Sequence, residues 1–379
     1  MENRKYQMCT NCVMDTTDSK IQFDENGVCD YCNGFNRDVK SSWNVNTHNQ
    51  KELLDIAIKI KKSTKGKKYD CIIGLSGGLD SSYLCYLTKK VMGLNPLVYV
   101  VDTGWNLNVA VENIEKIVSG LELDMYTEVV NWNEMRDLQL AFFKSQVPYQ
   151  DFPQDHAIFA GLYNYAVKHK IKYVFTGANN STEGVRPPVE WVYINDLKFM
   201  KDIHKKFGNL KKLSTFPTCG MIKYRLYYPY IKGMKRFYPL DYVTYEKHDV
   251  ENFLHETYGW TKYENKHYEN IFTRFYEGYY LPKKFNYDKR KCYYSNLILT
   301  GQLTRENAMS MLQNPAYSEN QAIKDMNYIA KKLGLSLEQF KNLIFGENKH
   351  YYDYKNSFAI LNFFIKLAKV FGVEKRNFR

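Results

Sequence analysis

At 379 residues the chain is long enough to bury a full core and to divide into two or three domains. Its 53 lysines and arginines outnumber 41 acidic residues, and the formal net charge of +12 draws polyanions or anionic small molecules without choosing among nucleic acid, nucleotide sugar and ATP. No apolar stretch approaches a bilayer span and Met1-Glu2-Asn3-Arg4-Lys5 is not followed by an apolar signal core, so membrane insertion is not expected and a cytoplasmic enzyme is.

The first pattern along the chain is Cys9-x-x-Cys12 and Cys29-x-x-Cys32. Two thiolate pairs at this spacing can reach the corners of one tetrahedron, and Ile21-Gln22-Phe23 with the turn Glu25-Asn26-Gly27 reads as a small hairpin between them. A structural zinc ribbon over residues 1–40 is the natural reading, with an iron–sulfur cluster or two disulfides as the alternatives. Residues 33–50, polar and rich in Asn and Ser, read as a linker.

From residue 51 the pattern alternates. Helices are predicted at 51–62, 79–92, 108–118, 131–144 and 155–169, and strands at 69–75, 97–101, 125–130, 172–176 and 237–240. This βαβ alternation implies a doubly wound α/β domain over 51–243, with ligands beyond the carboxyl ends of a parallel sheet. Residues 244–379 read as a helical C-terminal substrate or partner region, with helical patterns at 244–258, 304–313, 317–333, 336–345 and 355–371.

The sharpest motif is Ser76-Gly77-Gly78-Leu79-Asp80-Ser81-Ser82, set between the first strand and its helix. Adjacent glycines let backbone N–H groups approach an oxyanion, and the helix start adds unpaired donors and a positive dipole end. Ser76, Ser81 and Ser82 add hydroxyls, and Asp80 among phosphate ligands makes sense with a bridging divalent cation such as magnesium. Neither a Walker loop nor a dinucleotide fingerprint is present. The run resembles the Ser-Gly-Gly-x-Asp-Ser signature of the PP-loop ATP pyrophosphatases, which transfer AMP to a carbonyl oxygen and release pyrophosphate. That resemblance assigns Leu75, Ser76, Gly77, Gly78, Ser81 and Ser82 to ATP. It also gives Asp102, after the second strand, a contact with adenosine, and Gly177 and Asn179, after the fourth, a loop closing over the phosphates.

A second constellation packs basic and aromatic groups into 266–290: Lys266-His267-Tyr268-Glu269, Arg274, Leu281-Pro282-Lys283-Lys284-Phe285 and Asp288-Lys289-Arg290. Lys266, Arg274, Lys289 and Arg290 could clamp pyrophosphate or a substrate phosphate, and Arg186, before Pro187-Pro188, could meet an anionic group of the second substrate. A four-cysteine ribbon, a PP-loop and these later motifs together resemble the N-acetyl sugar amidotransferases of bacterial surface-glycan biosynthesis. The resemblance implies conversion of an acetamido group on a nucleotide-activated sugar to an acetamidino group, with Asp80, Lys266, Glu269, Lys289 and Arg290 in catalytic roles. Arg186, His267 and Arg274 would bind substrate, and a separate glutaminase would supply ammonia. A tRNA-thiolating PP-loop enzyme is the main competitor. It would want a reactive cysteine pair or an iron–sulfur site in the catalytic domain, and Cys219 stands alone in its loop. A nucleic-acid-binding scaffold with a silent loop is the third reading, supported only by charge and the ribbon.

Overall fold

The computed structural model describes residues 4–41, 43, 49–193, 195–264, 266 and 268–370. Its centre is a five-stranded sheet of order β3-β2-β1-β4-β5, every pairing parallel: β1 Cys71–Gly74, β2 Pro96–Asp102, β3 Asp124–Val129, β4 Tyr173–Phe175 and β5 Lys235–Phe237. Successive side chains of a strand point to opposite faces, so the apolar runs of the inner strands divide between two cores. Ile72, Leu97, Tyr99, Val101 and Val174 enter one; Cys71, Ile73, Val98, Val100 and Phe175 enter the other.

Helices α1 Asp30–Asp38, α2 Gln50–Ser63, α3 Leu79–Tyr86, α4 Asn108–Gly120, α5 Trp132–Ser145, α6 Phe152–Lys168, α7 Asn180–Glu183, α8 Leu197–Phe207 and α9 Lys247–Tyr258 surround the sheet. Helices α2, α3, α4 and α9 cover one face through Leu53, Leu84, Ile114 and Leu254, whereas α5 and α6 cover the other through Leu138, Phe142 and Ala160. The doubly wound arrangement is the one the alternation implies. The chain then continues through α10 Ile271–Phe275, α11 Leu281–Phe285, α12 Arg290–Leu299, α13 Arg305–Gln313, α14 Glu319–Leu333, α15 Leu337–Ile344 and α16 Phe358–Val370. Phe272, Phe275, Tyr280, Leu333 and Phe340 share the α5–α6 core with the sheet, and Val250 and Trp260 share the other.

Three sequence readings need correction. The stretch 33–50 is not a plain linker: α1 carries it to Asp38, and Trp43 is buried with its indole N–H donating to the Asp241 carbonyl at 3.1 Å. The last strand lies earlier than 237–240, because Pro239 has no amide to give a ladder and opens a short 3-10 turn, Pro239–Tyr242. The helix after the glycine loop turns π-helical over Leu87–Val91. No helix among the described residues is long and apolar enough to cross a membrane.

Candidate active site

In a 3-2-1-4-5 sheet the direction of winding reverses between β1 and β4, which opens a crevice at their carboxyl ends. The two loops leaving those ends are the glycine loop 76–82 and the run 176–184, and they are in contact. A methyl group on Gly177 would sit 3.1 Å from the Asp80 carbonyl carbon, so the absence of a side chain lets the second loop press on the first. Gly77 has φ +82°, and a methyl there would lie 2.6 Å from the Ala110 carbonyl oxygen. Its own carbonyl is held from outside, accepting from the Trp260 indole at 3.0 Å and the Tyr263 hydroxyl at 3.1 Å.

Asp80, in the first turn of α3, is the hub. One carboxylate oxygen accepts from the Asn179 amide at 3.3 Å and from the Tyr245 hydroxyl; the other takes Lys266 Nζ at 3.0 Å. Lys266 also reaches Glu183 at 2.9 Å and the Thr182 hydroxyl at 3.1 Å. Burial opposes the ammonium charge, but Asp80 and Glu183 outweigh it and raise the Lys266 pKa. Glu269 closes the loop from the other side: its carboxylate accepts from the Ser76 hydroxyl at 3.2 Å, and a methyl on Gly78 would be 2.8 Å from it. Burial pushes the Glu269 pKa up to about 7. The segment carrying it is anchored beside β2, Leu107 N–H donating to the Glu269 carbonyl at 3.0 Å and Ile271 N–H to the Trp105 carbonyl at 3.0 Å.

Ser76, Gly78, Asp80, Ser81, Gly177, Lys266, Glu269, Lys289 and Arg290 all line one cavity of about 280 Å³. Lys289 pairs with buried Glu277, whose pKa burial raises, and Tyr293 donates to the same carboxylate at 3.3 Å. Arg290 grips Asp288 through two nitrogens and donates to the Asn314 carbonyl at 2.9 Å, so it also ties down the loop before α14.

Other expected residues lie elsewhere. Leu75 is buried and hydrogen-bonded to Tyr99, and the Ser82 hydroxyl is buried with no partner among the described residues. Asp102 caps the turn after β2, accepting from Gly104 N–H at 2.7 Å. Arg186 is exposed outside the cavity lining, and Arg274 forms a two-pronged pair with Asp325 on α14 at 2.8 and 2.9 Å. His267 lies outside the described residues. Sequence reasoning missed Thr182, Glu183, Tyr245, Trp260 and Tyr263 as parts of this site. Thr182 and Glu183 lie three and four positions after Asn179 in the run 176–184, whereas nothing local marks the three aromatics.

The four N-terminal cysteines are fully buried and unpaired by disulfides, with all sulfurs within 4.8 Å of one another. Neighbouring sulfurs stand 3.6 to 3.8 Å apart, and the amides of Cys12 and Cys29 point at Cys9 Sγ at 3.4 and 3.2 Å. A tetrahedron with metal–sulfur bonds of about 2.3 Å has edges of about 3.8 Å, so the cage fits a single ion. Between the pairs, Phe23 bridges Cys29 antiparallel and Gly27 turns the chain at φ +74°. Cys219 is buried and its thiol is pushed up by that burial.

Comparison with known proteins gives two kinds of likeness. Residues 269–368 match the family model of the LPS biosynthesis protein WbpG-like C-terminal domain, which begins at the glutamate beside the glycine loop. A 76-residue stretch, 20% of the chain, is 36% identical to the uncharacterized protein MJ1599 of Methanocaldococcus jannaschii and spans only 27% of that relative. Among solved structures, the NH3-dependent NAD synthetase of Campylobacter jejuni is 19% identical, with a TM-score of 0.27 over 35% of this chain and 58% of that one. The NMN synthetase of Francisella tularensis is 17% identical, with a TM-score of 0.32 over 75% and 93%. The U34-tRNA thiolase NcsA of Methanococcus maripaludis, with its [4Fe-4S] cluster, is 14% identical, with a TM-score of 0.32 over 91% of each chain.

Proposed function

We propose that the chain is an ATP-dependent amidotransferase that converts an acetamido group of a nucleotide-activated sugar, of the pseudaminic or legionaminic acid type or a diacetamido-uronate, to an acetamidino group. The observation that carries this reading is the shared cavity. Glu269, Glu277, Lys289 and Arg290 come from the segment matched to a surface-polysaccharide biosynthesis domain, and they face the Ser-Gly-Gly-x-Asp-Ser loop across it.

An amide oxygen is a poor leaving group. In the proposed reaction it attacks the α-phosphorus of ATP, the bond to pyrophosphate breaks, and the oxygen is carried as an O-AMP imidate. Ammonia then adds to the imidate carbon, AMP leaves with the oxygen, and the nitrogen loses a proton to give the amidine. The glycine loop would offer backbone amides to the phosphates, and Lys266, Lys289 and Arg290, which line the same cavity, would offset the charge on departing pyrophosphate by sharing it with their present partners Asp80, Glu277 and Asp288. Asp80 and Glu183, now bridged by the Lys266 ammonium, form a paired-carboxylate seat that suits magnesium, which would neutralise phosphate charge when bound. The four cysteines would hold zinc as a structural ion, since no coordination position is left for chemistry. Ammonia would come from a partner glutaminase. Thiolation finds no support at this site, because no described residue lining the cavity is a cysteine.

The test incubates the purified chain with ATP, magnesium, ammonium and candidate nucleotide sugars. A product lighter by the difference between O and NH, formed with stoichiometric AMP and pyrophosphate, is the expected result. Pyrophosphate release that depends on tRNA and ignores every sugar would sink the reading.

A further inference from the structure

Between β4 and β5 the chain throws out a π-helical segment, Lys223–Ile231, that departs from the rest of the surface in composition. Ile222, Leu226, Tyr227, Tyr230 and Ile231 are 76, 56, 36, 79 and 70% exposed. Single exposed apolar residues are ordinary, but five within ten positions form a patch that a water-facing surface does not keep without a use.

The segment is not a loose end. Tyr228 is buried between these exposed neighbours, its ring stacked on Tyr163 and its hydroxyl donating to Asn164 at 2.7 Å. Met234 N–H donates to the Tyr228 carbonyl at 2.9 Å, and Lys235 N–H then joins the sheet through the Lys172 carbonyl at 2.8 Å. The apolar side chains are therefore held outward by a fixed base.

The charge along this stretch of chain has one sign. From Asp202 to Asp241 the sequence holds no acidic residue, and Lys223, Arg225, Lys232 and Lys235 are exposed among the apolar groups and absent from every ion pair of the described residues. Lys232 lies over the Tyr227 ring at 5.2 Å, so cation and aromatic group are presented together. Lys223 also donates to the Asn164 side-chain oxygen at 2.6 Å. Tyrosine and isoleucine flanked by lysines that have no acidic partner match the boundary of an anionic bilayer, where rings and aliphatic chains sit at headgroup depth and basic groups meet lipid phosphates.

We propose that residues 222–235 form a peripheral docking surface for an anionic membrane. The segment enters β5 at its amino end, whereas the cavity opens at the carboxyl ends of β1 and β4, so a docked molecule keeps its active site turned toward solution. The inference does not depend on the nucleotide chemistry proposed above.

The test is co-sedimentation of the full chain with phosphatidylcholine vesicles prepared with and without phosphatidylglycerol. Binding is expected only to the anionic vesicles and is expected to weaken as salt is added. Ile222→Ser with Tyr230→Ser, and separately Arg225→Gln with Lys232→Gln, should each lower vesicle affinity about tenfold or more while leaving the melting temperature in solution unchanged. These side chains are exposed, so circular dichroism should be the same for all variants. No binding to anionic vesicles overturns the proposal. So does a chain that is oligomeric by light scattering and becomes monomeric on Tyr230→Ser, since the patch would then be a protein interface.

Discussion

Asp80 accepts hydrogen bonds from Asn179 and Tyr245 and carries an ion pair in a pocket wall, yet its side chain contributes little to core packing. Asp80→Ala is therefore expected to abolish turnover while leaving the melting temperature within a few degrees of the parent, a comparison that one calorimetric scan and one pyrophosphate assay supply. Glu269 sets a pH dependence. Burial raises its pKa to about 7, so the carboxyl stays neutral below that pH and becomes an anion beside the glycine loop as pH rises through it. ATP affinity of the free enzyme should fall above pH 7, and Glu269→Gln should flatten the profile in calorimetric titrations. The same shift enters stability: the folded chain holds this proton more tightly than the unfolded one. Its contribution is complete below the ordinary glutamate range and is lost as pH rises through about 7. Arg274 looks from its sequence neighbours like a phosphate clamp, but its guanidinium is committed to Asp325. Arg274→Ala should cost about 3 kcal/mol of stability, as removal of one partner from a buried pair does, with substrate KM unchanged in whatever enzyme remains folded; a raised KM at unchanged stability would return it to the substrate site.

At the scale of elements, the glycine loop depends on conformation as well as space. Gly77→Ala meets two costs, a left-handed φ worth about 1–2 kcal/mol and a collision with the Ala110 carbonyl on α4. Gly66, at φ +80° with nothing within 4 Å, supplies the control, because Gly66→Ala meets only the first. The difference between the two melting temperatures isolates the collision, and loss of ATP binding is expected for Gly77→Ala alone. Strands β1, β2 and β4 were legible because inner parallel strands are nearly unbroken apolar runs, whereas β3 is an exposed edge strand. The helices at 271–299 were not, because their aromatic and basic residues are chosen for a cavity wall and leave little amphipathic period to read. Lys289 and Glu277 show the same thing: they are twelve positions apart, and only the folding back of the chain between the π-helical segment Tyr276–Tyr280 and the residue that caps α12 makes them a pair.

At the scale of the molecule, the ribbon is a strut. Val13 N–H donates to Ser295 on α12 at 3.2 Å, Arg305 on α13 donates to the Cys12 and Cys9 carbonyls at 3.0 and 2.9 Å, and Lys291 pairs with buried Asp15 at 2.5 Å. Helix α12 also carries Arg290, Tyr293 and Tyr294 of the cavity wall. Metal removal should therefore lower thermal stability and raise the KM for substrates, even though the cysteines lie outside the pocket lining. Elemental analysis is expected to find a single equivalent of zinc; a brown chromophore with acid-labile sulfide would mean that the cage holds a cluster.

The sequence by itself determined the strand–loop–helix around residue 76, the parallel alternation and the spacing of the four clustered thiols, because each is written in contiguous residues whose local physics allows few outcomes. Tertiary structure alone decided which distant groups share the crevice. It brought Lys266 to Asp80, Glu269 to Ser76 and Trp260 to Gly77, and it sent Arg274 to Asp325. Those encounters are set by how the described helices close over the sheet, and side-chain chemistry looks the same along the chain whether a cation ends beside a loop or beside another helix.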